Sequence, residues 1–184
     1  MHIENAQKEM RIAHLSGASK VFILGLVWIT ASVFAIYSTI QTSFAIFCIG
    51  MISHSAWILV SKLFKRGNND IRDNPLWILE IESALILLVG LFFFNGFFRV
   101  YSYWFFPMML LMEGARYLIF QTIYGMKIYW ILGLILILAG LVGIGSHQKF
   151  YTFGIVGGGI QLLFAIGIRQ MDKKNSIKRK THEV

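Results

Sequence analysis

The sequence predicts an all-α integral membrane protein with six transmembrane helices, and three observations carry that prediction. Of 184 residues, 57% are hydrophobic and only 14% are charged, which leaves too little polar surface to solvate a globule of this size. Six segments approach the ~20 mainly apolar residues that a helix needs to cross hydrocarbon. They are Val21–Ser38, Phe44–Phe64, Leu76–Phe94, Tyr101–Phe120, Ile128–Gly145 and Phe150–Ile168. Lys and Arg gather at the ends of these segments rather than inside them.

Taken in order, residues 1–20 form an amphipathic cytoplasmic segment with Ile3, Met10 and Ala13 on one side, suited to lie along a membrane surface. No secretory signal is expected, because Glu4 and Glu9 spoil a cationic n-region and no small-x-small site follows. The first apolar run is therefore a span. Between the second and third spans, KRGNNDIRDNP reads as a loop from its Asn, Gly and Pro. Pro107 is predicted to kink the fourth span and free a carbonyl. Residues 21–168 make up the transmembrane domain, and 169–184 a basic, polar cytoplasmic tail expected to be mobile.

Orientation follows from the basic residues outside the spans. Lys8, Arg11 and Lys20 precede the first span; Lys62, at the very end of the second span, with Lys65, Arg66 and Arg72 mark the second loop, and Lys127 the fourth. Arg169, Lys173, Lys174, Lys178, Arg179 and Lys180 follow the last span. These fourteen fall on one side, against Arg99 and Lys149 on the other, so both termini are expected in the cytoplasm. Aromatic residues at span ends fit as interfacial anchors: Tyr37, Tyr101, Tyr103, Trp104 and Tyr151 outside, Trp77, Tyr129 and Trp130 inside. The net charge of +8 implies anionic lipid head groups as partners rather than nucleic acid, because no basic stripe interleaves with exposed aromatics.

A faint internal repeat groups the spans into three pseudo-repeated hairpins. ILGLVWITASVFAIYS (23–38) lies over ILGLILILAGLVGIGS (131–146) with eight of sixteen positions identical. Setting Phe44, Phe105 and Phe153 in register places Ile52, Glu113 and Gln161 at equivalent positions. Chance agreement among Leu, Ile, Gly and Ala is the competing explanation. In the sixth span Gly154 and Gly158 form a small-xxx-small face that admits a close neighbour, either another span or a second copy of the chain in a homo-oligomer.

A handful of polar residues stand inside the apolar runs: His54, Glu80, Glu82, Glu113, Arg116 and Gln161. A charge near the centre of a spanning helix costs roughly 2.5–3.5 kcal/mol on insertion scales, so each needs water or a partner. Glu113 and Arg116 are about 60° apart around a helix and share a face, whereas Glu80 and Glu82 are about 200° apart and cannot both face one neighbour. The spacing places Glu113 and Arg116 in the cytoplasmic third, level with Glu80 and Glu82, so that one of those two meets Arg116. Two readings stay open: a cytoplasm-facing polar pocket for a small solute or protons, or a structural clasp between the third and fourth helices. His54 and Gln161 are expected to make packing hydrogen bonds.

Catalytic signatures are missing: there is no H-E-x-x-H, no G-x-S-x-G and no phosphate-binding glycine loop, so no enzyme is expected. The single cysteine, Cys48, offers neither a disulfide nor metal spacing, and no cofactor is implied. AQKEMR, SGASK and GLVW (within 6–28), SKLF, NPLWILEIES, FFP and GARYLIFQTIYGMKIYWILG (114–133) resemble a family of bacterial six-span membrane proteins filed as a domain of unknown function. That resemblance implies residence in a bacterial cytoplasmic membrane and assigns no activity, ligand or catalytic residue. The layout is also similar to acid-resistance membrane proteins built from three hairpins, which fits the alternative of a structural or stress-response protein.

Overall fold

In a computed structural model, the structure describes residues 2–64, 74–97, 101–146 and 148–182. All regular structure among the described residues is helical: α1 (Ile3–His14), α2 (Ala18–Tyr37), α3 (Ile40–Phe64), α4 (Leu76–Phe97), α5 (Phe105–Tyr124), α6 (Ile128–Gly145) and α7 (Thr152–His182). Four helical stretches are long and apolar enough to cross a membrane: Ile3–Tyr37, Leu76–Gly96, Ile128–Gly145 and Thr152–Lys174. The predicted second loop and Arg99 lie outside the described residues.

Helices α2 to α7 pack each on the next, and α2 closes the set against α7, with the most extensive contacts between α5 and α6 and between α2 and α7. Glycines permit both of those seams. A Cβ on Gly25 would stand 3.2 Å from the Gly158 carbonyl oxygen, and one on Gly114 would stand 2.7 Å from that of Gly133. Backbones that close exchange dispersion contacts unavailable to bulkier residues, which is how apolar helices associate when lipid is as apolar as they are. Gly158 thus faces α2 of the same chain, and Gly154 meets Ser32 and Phe106. That face is filled from within the chain.

The distribution of side chains is inverted relative to a water-soluble globule. Phe92, Leu163, Ile49, Val89 and Val142 point outward with more than half their surface exposed, while Glu80, Glu113, Arg116 and Gln161 are wholly buried.

Several expectations need correction. Helix α5 begins four residues later than the predicted span, after a 3₁₀ turn over Ser102–Trp104, and Pro107 is its third residue. The first four amides of a helix have no intrahelical acceptor, so Pro107 frees no carbonyl there and has no cause to kink the helix. The tail expected to be mobile instead continues α7 as helix to His182. MDKKNSIKRKTH holds no Gly or Pro to stop it, and Ser16 Oγ donates to Asp172 at 2.6 Å. Tyr129 and Trp77, read as interfacial anchors, are buried; the Tyr129 hydroxyl donates to the Ser16 carbonyl instead.

Helix α1 buries Ala6 and Met10 against the bundle, leaving Ile3 exposed. Gln7 Nε2 donates to the Thr122 carbonyl at 2.8 Å and Arg11 Nη1 to the Tyr124 carbonyl at 2.5 Å, two of the last carbonyls of α5 that lack an intrahelical donor. Asn74 holds the other side. Its Nδ2 donates to the Ala6 carbonyl at 2.8 Å and to Glu9 at 3.1 Å, while its Oδ1 caps the Leu76 amide at the start of α4. Three successive residues in the left-handed region, Leu15, Ser16 and Gly17, turn the chain from α1 into α2.

Candidate functional site

Two layers of polar side chains occupy the interior. The shallower one lies beneath α1. Lys20, the third residue of α2, forms an ion pair and hydrogen bond with Glu80, the fifth residue of α4. Lys20 Nζ also donates to the Tyr124 hydroxyl at 3.4 Å, and His14 Nε2 stands 3.9 Å from Glu80 Oε2. This pair joins α2 to α4 directly.

The deeper layer is built on α5. Both ends of α5 lie four residues beyond those of the predicted span, which makes Glu113 the ninth of twenty residues, at mid-helix rather than in the cytoplasmic third. Glu113 and Arg116 are therefore deeper than Glu80, and neither Glu80 nor Glu82 meets Arg116 as the sequence had suggested. The partner of Arg116 is Glu113 on the same helix, with Nη1 3.6 Å from Oε1, beyond hydrogen-bonding distance. The guanidinium also stands 4.9 Å from the Phe120 ring.

Around this pair hydrogen-bonding capacity goes unused. Neither carboxylate oxygen of Glu113, none of the three Arg116 nitrogens and not Gln161 Nε2 has a hydrogen-bond partner, though all three residues have zero exposure. Gln161 of α7 reaches the site through Tyr117, whose hydroxyl donates to Gln161 Oε1 at 3.0 Å and lies beside Glu113. His54, 8% exposed on α3, has an unpartnered Nε2. Glu82 is the outlier: it faces outward, away from the other five.

Tyrosines connect the layers. Tyr117 and Tyr124 each stack on Tyr129, with ring centroids 6.2 and 5.4 Å apart, so a buried aromatic column runs from Lys20 to Gln161. On the other side of the Glu113 layer the interior is apolar. Trp28, Phe47, Phe105, Phe106 and Phe150, from α2, α3, α5 and the turn before α7, interlock with centroids 4.9–6.2 Å apart. The polar layers thus lie nearer the α1 end, and rings fill the bundle beyond them.

Sequence reasoning missed Lys20, Asn74, Tyr124 and Tyr129. Lys20 was counted among flanking charges, yet α2 starts at Ala18 and carries it inside the helix. Among the described residues no group of His, Cys, Asp and Glu could hold a metal ion. Nothing among curated proteins or solved structures matches the chain. Residues 3–171, nearly the whole of it, match a family described as a family of unknown function (DUF7010), and the motifs that suggested such a family lie within that span. The chain belongs to the DUF7010 family.

Proposed function

We propose that this chain is a six-span protein of a bacterial cytoplasmic membrane, with both termini in the cytoplasm, that binds a small polar solute at Glu113, Arg116 and Gln161. The observation that carries the reading is the unused hydrogen-bonding capacity of that site. A buried polar group without a partner costs about 1–3 kcal/mol, and a charged one more. Several such groups on two helices are an expensive way to build a core, since apolar residues of like volume are often neutral or stabilising in place of a buried ion pair. A guest that supplies the missing hydrogen bonds turns that cost into affinity.

The six-span topology is supported by α3 and α5, which complete the bundle: α3 contributes the shorter apolar stretch Ile40–Ala56, and α5 carries Glu113 and Arg116 within its apolar run. Access from the cytoplasm is supported by the position of the polar layers toward the α1 end. The ring-filled other half favours binding over a continuous path.

The clasp reading keeps one observation in its favour, the Lys20–Glu80 pair, and it is assigned there. It does not extend to Arg116, because a bridge between residues i and i+3 of one helix ties no second helix to it. The test is a screen of small polar solutes against the full-length chain in detergent, read as thermal stabilisation. At least one solute is expected to stabilise the wild type, and Glu113→Gln to remain folded while losing the effect. Destabilisation by Glu113→Gln, with no solute acting on the wild type, would overturn the proposal.

A further inference from the structure

We infer that the guest of the Glu113–Arg116 site is an electroneutral molecule carrying both hydrogen-bond donors and acceptors, a zwitterion in the first instance, rather than an inorganic ion or a proton. The inference rests on the reading of this site as a binding pocket and adds the class of ligand.

Charge is the first constraint. Among the described residues, the cations and anions of the two layers cancel pair by pair: Lys20, which keeps some exposure, against Glu80, and the fully buried Arg116 against Glu113. The deeper pair has no exposed surface and lies beside Phe120 and Tyr117, so its surroundings screen poorly. A guest with net charge would leave one uncompensated charge there, the situation that buried ionic groups avoid most strongly. Proton uptake by Glu113 has the same defect, because it would strip Arg116 of its counter-charge.

Hydrogen bonding is the second constraint, and it is independent of the first. Arg116 presents up to five N–H donors on three unpartnered nitrogens, and Gln161 adds an amide donor. Glu113 presents two oxygens whose polar hydroxyl neighbour, that of Tyr117, gives its proton to Gln161. An acceptor-only guest would leave Glu113 unmet, and a donor-only guest would leave Arg116 and Gln161 unmet. A carboxylate facing Arg116 and an ammonium facing Glu113 satisfy both while adding no net charge. Glu113 and Arg116 lie one helical turn apart, which suits a small molecule with its two poles close together.

Three probes of similar size separate the possibilities: glycine, acetate and methylammonium, each added to the full-length protein in detergent at equal ionic strength. Unfolding is followed by tryptophan fluorescence. Glycine is expected to raise the Tm of the wild type, with acetate and methylammonium leaving it unchanged. Glu113→Gln should transfer the response to acetate, and Arg116→Gln to methylammonium. If acetate or methylammonium stabilises the wild type as much as glycine does, the electroneutral rule falls while the pocket stands. If none of the three shifts the wild type, this inference falls, and the solute screen then decides the pocket on its own. Should either variant fail to give a monodisperse protein, the wild-type comparison still decides.

Discussion

Lys20 and Arg116 are both long cations in a predominantly apolar chain, yet their environments ask opposite things of them. Lys20 retains some exposure and closes an ion pair with Glu80 across two helices, so its charge organises packing. Arg116 has none, pairs only within its own helix, and leaves its donors unmet. Double-mutant cycles distinguish these roles. Lys20→Met with Glu80→Gln is expected to show a coupling of about 0.5–3 kcal/mol, as contacting residues do. Arg116→Gln with Glu80→Gln should add to within about 0.3–0.5 kcal/mol, because those residues occupy different layers. Equilibrium unfolding of the full-length protein in mixed micelles measures both. A large coupling in the second cycle would restore the contact the sequence suggested. The presence of buried charge at positions 80, 113 and 116 was legible from the apolar runs around them. Its pairing was not: a shift of four residues in the start of α5 moves Glu113 and Arg116 by about one turn, enough to exchange one partner for another.

At the scale of elements, the α5–α6 and α2–α7 seams depend on glycine and α1 on a single asparagine. Gly114→Ala puts a methyl 2.7 Å from a backbone oxygen of α6, which no rotamer change relieves, and the helices must separate. Overpacking of this kind typically costs about 1–3 kcal/mol. Gly159 is the internal control: nothing lies within 4 Å of its Cβ position, so Gly159→Ala should be neutral or stabilising by about 0.5–1 kcal/mol through helix propensity. Equal destabilisation by both substitutions would count against the close seam. For α1, Asn74→Ala removes the α4 cap and both hydrogen bonds to α1. A loss of about 1–3 kcal/mol is expected. Hydrogen exchange of the α1 amides should accelerate while that of α6 stays unchanged. The bounds of α6 were readable, since Ile128 follows a loop lysine and Gly145 ends an unbroken apolar run. The docking of α1 was not, because the hydrogen-bond partners of Gln7 and Arg11 are carbonyls more than a hundred residues away.

At the scale of the molecule, the repeat read from the sequence can be set against the closed set of helices. Gly25 and Gly133 are equivalent in the sequence alignment, and each lies where its helix meets a neighbour that precedes it around the bundle, α7 for α2 and α5 for α6. The repeat also puts Glu113 and Gln161 in register, and both are buried in one site, whereas Ile52 at the third equivalent position is half exposed. Helix α3 instead carries the buried His54 two residues further on, a departure that a register set on Phe44 alone does not show. All of this describes the bundle without saying which end faces the cytoplasm. The unequal distribution of Lys and Arg does make that prediction, and single cysteines test it in a Cys48→Ala background. Gln41→Cys lies at the end away from α1, and Lys127→Cys at the α1 end; both positions are exposed. In intact cells an impermeant maleimide should label position 41 and leave position 127 unlabelled, and permeabilisation should expose both. Labelling at 127 alone in intact cells would invert the orientation, and the solute site would then open to the outside.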